Sequence, residues 1–210
     1  MSSASSAPGG SPPAAPTDRL RDYAAQTVEY VRRAVGAPLE FDSDTLPLLD
    51  HYLRSVPMDQ PATVRLVVST AAAYFGEVVI RRLGGRWDTD GDDELAWRVV
   101  LPTGLSFAPA GLVGAALARA DVADLDAALE APLRLRPYVQ QALARMSPVT
   151  DDEYFSLCGR LDTLEHVHEV LVTVAAQLAG DAVPAADDGG DEPADEPADG
   201  PADGGAPLVN

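Results

Sequence analysis

Apolar positions recur at helical spacing soon after the start of the chain. In TDRLRDYAAQTVEYVRRAVG, Leu20, Ala24, Thr27, Val28, Val31 and Val35 fall on one face, and Gly36 with Pro38 ends the pattern. FDSDTLPLLDHYLRSV predicts a short helix entered through Ser43 or Asp44, with Leu46, Leu49 and Leu53 turned inward. A third helix is expected from about Pro61, a favoured first-turn position, to Leu83. On its wheel Val64, Val67, Val68, Ala71, Phe75, Val78 and Val79 make one broad face, with Leu66, Ala73 and Ile80 nearly opposite. A helix apolar on two sides is central and largely buried. Ser69, Ala72 and Gly76 form a strip of small residues along which another backbone can approach.

The period then changes. RWDTD and ELAWRVVL alternate in strand fashion, with Leu95, Trp97, Val99 and Leu101 on one face and Ala96, Arg98 and Val100 on the other. DGDD between them reads as a hairpin turn, and LSFA offers a third short strand. Helical patterns resume at 109–120, 122–130 and 137–146. Thr150 and Glu153 form a capping box for a last helix that runs to about Ala179 and ends at Gly180. The expected class is α+β: a mostly helical single domain over 18–180 with a small antiparallel meander of about three strands.

Charge sets off the two ends. Residues 1–17 carry no charged side chain, whereas 181–210 carry nine acidic residues and include the repeat DEPADEPADGPADG. Both read as disordered arms, because Pro, Gly and like charges leave nothing to bury. The acidic arm is a solubilising tail or a contact for a basic partner. The whole chain of 210 residues has a net charge of −18, and the middle keeps 24 acidic against 15 basic residues. Such a surface repels phosphate backbones, so nucleic acid is not an expected partner, and a basic protein is electrostatically favoured. Every basic residue is arginine, which rules out lysine Schiff-base chemistry and a P-loop. A single cysteine, Cys158, allows no intramolecular disulfide and favours a reducing compartment. The first residues lack the basic and apolar regions of a signal peptide, and no uninterrupted apolar run is long enough to span a membrane. The expected location is cytoplasmic.

Glu77 interrupts the apolar third helix. One reading is a half-buried carboxylate paired with Arg81, one turn on, or with Arg98 from the hairpin. The other is a functional acid in a cleft, although no histidine or second carboxylate stands beside it at helical spacing. AYFGEVVIRRLGGRW, preceded by FDSDTLPLLDHYL and followed by FAPAGLVGAAL, resembles small bacterial domain families of no established activity. In these a helix carrying aromatic-x-Gly-Glu runs into Leu-Gly-x-x-Trp and a short hairpin. The resemblance covers about residues 39–118 and implies architecture without an activity.

Other motifs weaken on inspection. DTDGDDE at 88–94 places Asp93 and Val99 where a calcium loop needs Gly and Glu, so a solvated hairpin tip is expected. In EHVHE, His168 continues the apolar line of Leu157, Leu161, Leu164, Leu171, Ala175 and Leu178 while His166 faces away, so the two do not converge on a metal. Cys158 sits beside the apolar stripe as an inert thiol. Trp87 and Trp97 read as sheet anchors, or as a binding surface if exposed. No G-x-S-x-G, G-x-G-x-x-G or C-x-x-C occurs, and no cofactor or metal is expected. The pattern favours a non-catalytic cytoplasmic protein-binding domain of adaptor, chaperone or inhibitor type. The alternative is a small enzyme or ligand-binding domain with a cleft around Glu77 and Arg81 or Arg98.

Overall fold

Helix α1 (Pro16–Val35) buries Leu20, Ala24, Thr27 and Val31, and Gly36 ends it in a left-handed conformation. The computed structural model describes residues 15–181. The expected arms at 1–17 and 181–210 therefore lie outside the described residues, apart from Ala15–Thr17 and Asp181. Pro16 and Thr17 open α1, with Ala15 at its N-cap, and Asp181 closes the last helix.

A 3-10 turn (Ser43–Thr45) leads into α2 (Leu46–Ser55). Asp42, one residue earlier than expected, caps this turn by accepting from the Thr45 N–H at 3.0 Å. Leu46, Leu49 and Leu53 are buried as the spacing requires. Helix α3 (Pro61–Leu83) is the central rod and packs on α1. Its second face is covered only in the middle: Ala73 is buried, Ile80 half-buried and Leu66 exposed. By length and mean hydropathy α3 could cross a membrane, but 61% of that window is buried inside the protein.

Strands β1 (Arg86–Asp88), β2 (Arg98–Val100) and β3 (Ser106–Phe107) form an antiparallel sheet in the order β1-β2-β3, with Trp87 opposite Val99 and Val99 opposite Phe107. Trp97, Val99 and Leu101 point inward as expected. Glu94–Ala96, expected to be strand, is a 3-10 turn, because Asp93 accepts from the Leu95 N–H and curls the chain. Helix α4 (Pro109–Ala118) follows and packs on α3.

The helix expected at 122–130 does not form. Gly111 and Gly114 present a face of α4 bare enough for the backbone at Asp126 and the side chain of Leu125 to lie against it. Glu130 and Ser106 exchange main-chain hydrogen bonds of 2.8 Å, which keeps this segment extended. Helix α5 (Arg136–Arg145) follows.

The last helix is two. Thr150 caps α6 (Asp151–Tyr154) as expected, but the chain breaks at Phe155–Ser156 before α7 (Leu157–Asp181). The reason lies on α2. Asp50, 6% exposed, accepts from the N–H groups of Leu157 at 2.7 Å and Cys158 at 3.3 Å. Ser156 Oγ accepts from Gly159 N–H at 2.9 Å, so the first turn of α7 has partners for its free donors. Along α7 Leu157, Leu161, Leu164, Val167, Leu171 and Val174 are buried, whereas Ala175 and Leu178 are exposed beyond the body. Arg82 of α3 and Glu165 of α7 join the two long helices by an ion pair of 2.7 Å. The fold is α+β, with seven α-helices and one three-stranded sheet among the described residues.

Candidate functional site

Gly76 and Glu77 are consecutive in α3, and Trp87 of β1 returns onto both. The indole lies against Gly76, where a Cβ would overlap the ring. Its Nε1–H donates to Glu77 Oε1 at 2.9 Å. A half-buried indole N–H needs an acceptor, and Glu77 supplies it. The strip of small residues, expected to admit another backbone, admits an aromatic ring at Gly76.

The expected ion pair of Glu77 is not formed. Among the described residues no arginine lies within ion-pair distance of it. Arg98 projects from the sheet face opposite to Trp97 and Val99, where it meets Asp126 at 2.7 Å and Glu130 at 3.5 Å. Arg81 lies over the ring of Phe41, 4.5 Å from its centroid. Glu77→Ala should therefore cost about 1 kcal/mol, the worth of one hydrogen bond. It should not cost the roughly 3–5 kcal/mol of a stranded buried cation. Urea melts check this, and a loss at the upper figure would reveal an ionic partner of Glu77.

Glu77, Arg81, Trp87 and Phe41 line one cleft with Leu20 and Arg21 of α1, of about 300 Å³. The structure thus brings together Glu77, Arg81 and Trp87 in this cleft, whereas Arg98 and Trp97 are not among its lining residues. Trp97 is buried, donates its Nε1–H to the Gly91 carbonyl at 3.2 Å and carries Arg19 over its ring at 5.0 Å. Arg19 in turn pairs with Glu94, so this tryptophan anchors the 88–97 loop to α1.

A second, wider recess of about 890 Å³ was not anticipated. It lies between the end of α5, the link 146–149, α6 and the start of α7. Leu143, Val149 and Tyr154 stand on it with 40%, 46% and 48% of their surface exposed. Asp151, Glu153 and Asp162 supply carboxylates. Arg160 stacks on Tyr154 at 4.1 Å, yet its Nε and Nη2 are buried without a hydrogen-bond partner, as is Nε2 of His166. Sequence spacing does not announce this groove, because residues 127–129 and the successive helices and link of 143–166 build it together.

The two histidines of EHVHE diverge. His166 faces this groove, while His168 Nδ1 meets Thr103 Oγ1 at 3.1 Å. Burial holds the pKa of His168 below its usual value. Among the described residues no three of His, Cys, Asp and Glu gather as metal ligands would. Burial, and then the Asp50 carboxylate, push the Cys158 thiol up to about 12, so its thiolate is scarce at neutral pH.

No protein-family model, no curated protein and no solved structure matches the chain. In this chain the ring seat and the indole hydrogen bond give a structural reason for Gly76, Glu77 and Trp87.

Proposed function

We propose that the chain is a non-catalytic protein-binding domain whose docking surface is the groove between α5, α6 and α7. The observation that carries this is the gathering of exposed Leu143, Val149 and Tyr154 around one recess. Exposed apolar side chains grouped in a depression mark contact surfaces, whereas scattered ones do not. The carboxylates of Asp151, Glu153 and Asp162 outnumber Arg160 there, which fits the net charge of −18 and favours a partner segment with apolar and basic side chains. A reducing compartment such as the cytoplasm suits the lone thiol of Cys158.

An enzyme reading has less support. Glu77 and Arg81 share a cleft, but Glu77 is engaged by the indole and has neither a histidine nor a second carboxylate among the residues that line the cleft with it.

The test compares three full-length proteins as crosslinking baits in native lysate. One is wild type, one carries Leu143→Asp with Tyr154→Asp, and one carries Met58→Asp, an exposed apolar site outside the groove. All three should melt alike. Specific proteins should be retained by wild type and by Met58→Asp and lost by the groove variant. An unchanged set in the groove variant, or no specific protein with any bait, would sink the proposal.

A further inference from the structure

We infer that the cleft between α1, α3 and β1 is a binding site for a small zwitterion of the amino-acid class with a flat apolar side chain. This is independent of the groove and its partner.

Glu77 and Arg81 stand four residues apart on one helix, the spacing and order at which a carboxylate and a guanidinium readily pair. They do not pair. Trp87 holds Glu77 from one side through its Nε1–H, and Phe41 holds Arg81 from the other beneath its ring. Both charges line one cleft without pairing with each other. One oxygen of Glu77 accepts the indole bond, and its other oxygen has no hydrogen-bond partner among the described residues. Arg81 makes no ion pair among the described residues, and Arg21 on the facing helix has only the exposed Asp18, at 3.2 Å.

Phe41 gives a second, separate indication. Its φ is 58°, one of two positive values among described residues other than glycine. An aromatic residue occupies that region only when its surroundings impose it, and such strain collects at ligand sites. Here the Phe41 N–H donates to the buried Tyr74 hydroxyl at 2.9 Å, and the two rings pack with centroids 4.7 Å apart. The backbone is thus fixed in a costly conformation that presents an aromatic wall to the cleft.

The chemistry of the lining then selects the ligand. Two guanidiniums suit a carboxylate, and the open oxygen of Glu77 suits an ammonium. Trp87, half-buried on the cleft, offers aromatic surface for a flat apolar group, and the edge of Phe41 closes the wall beside it. A volume of about 300 Å³ is at the small end of ligand sites and suits a metabolite rather than a helix.

Calorimetric titration of the full chain with L-phenylalanine, 3-phenylpropanoate and 2-phenylethylamine tests the assignment. L-Phenylalanine should bind saturably. Each analogue lacks one charge and should bind at least about tenfold more weakly, the effect of one charge-assisted hydrogen bond. Arg81→Gln removes an exposed side chain whose one described aromatic contact is with Phe41, so its melting temperature should fall by no more than a few degrees while affinity for L-phenylalanine falls about tenfold. Absence of saturable L-phenylalanine binding at millimolar concentration overturns the inference. So does equal affinity for all three probes, or wild-type affinity in Arg81→Gln. The groove variants leave this titration unchanged, so the two proposals fail separately.

Discussion

Asp50→Ala should lower stability by about 3 kcal/mol, which sums the loss of a helix cap with the burial of a donor left without an acceptor. Asp50 lies on α2 and is almost fully enclosed, yet its two oxygens serve the first N–H groups of α7. The positive end of a helix of 25 residues adds a favourable field for the carboxylate. Alanine cannot replace the acceptor, and the enclosed Leu157 N–H has no route to solvent. Asp50→Asn keeps one carbonyl oxygen and should lose about half as much. Urea denaturation of both variants gives the comparison. A change in Asp50→Ala within about 0.5 kcal/mol of wild type, the range of ordinary surface substitutions, would show that α7 does not depend on this cap.

Gly111→Ala should cost a similar amount, about 3 kcal/mol, for a steric reason. A Cβ at position 111 would overlap the main-chain carbonyl of Asp126, and a backbone cannot swing aside as a side chain can. Gly114, one turn later on the same helix, is a natural control. A Cβ there meets only the end of the Leu125 side chain, which can choose another rotamer. Gly114→Ala should therefore cost about 1 kcal/mol or less. Hydrogen exchange adds a local readout: the paired N–H groups of Ser106 and Glu130 should lose protection in Gly111→Ala. Equal stability of the two variants would mean that the 122–130 segment does not sit on α4 as described.

The sequence pattern conveys elements whose stability is local or depends on burying one face. The α1 stripe, the proline-led α3 and the alternation through Trp97, Val99 and Leu101 all belong to this group. It fails where a distant group decides the local structure. The 122–130 segment has helical spacing, but two glycines of α4 and the main chain of Ser106 hold it extended. Nothing near Phe155 announces a helix break, because the group that starts α7 is 107 residues away. At the cleft, Glu77 was legible as a half-buried acid, and its partner was not. The available signal was Gly76, whose missing side chain seats a ring, together with a tryptophan ten residues beyond Glu77. The groove gave no periodic signal, since Leu143, Val149 and Tyr154 belong to a helix, a link and a second short helix rather than to one helix face.

The reach from Asp50 to Leu157 also orders the events of synthesis. The ribosome makes the chain from its N-terminus, so the carboxylate emerges long before the helix end it will serve. Until Leu157 appears, enclosing Asp50 would strand a charge away from water, a cost that no partner yet offsets. Helix α2 must therefore leave that face wet on the nascent chain and close it only when α7 arrives. A ribosome-bound chain stalled before residue 157 should expose Leu49 and Leu53 along with Asp50, and so offer a chaperone an apolar surface that the finished protein has sealed.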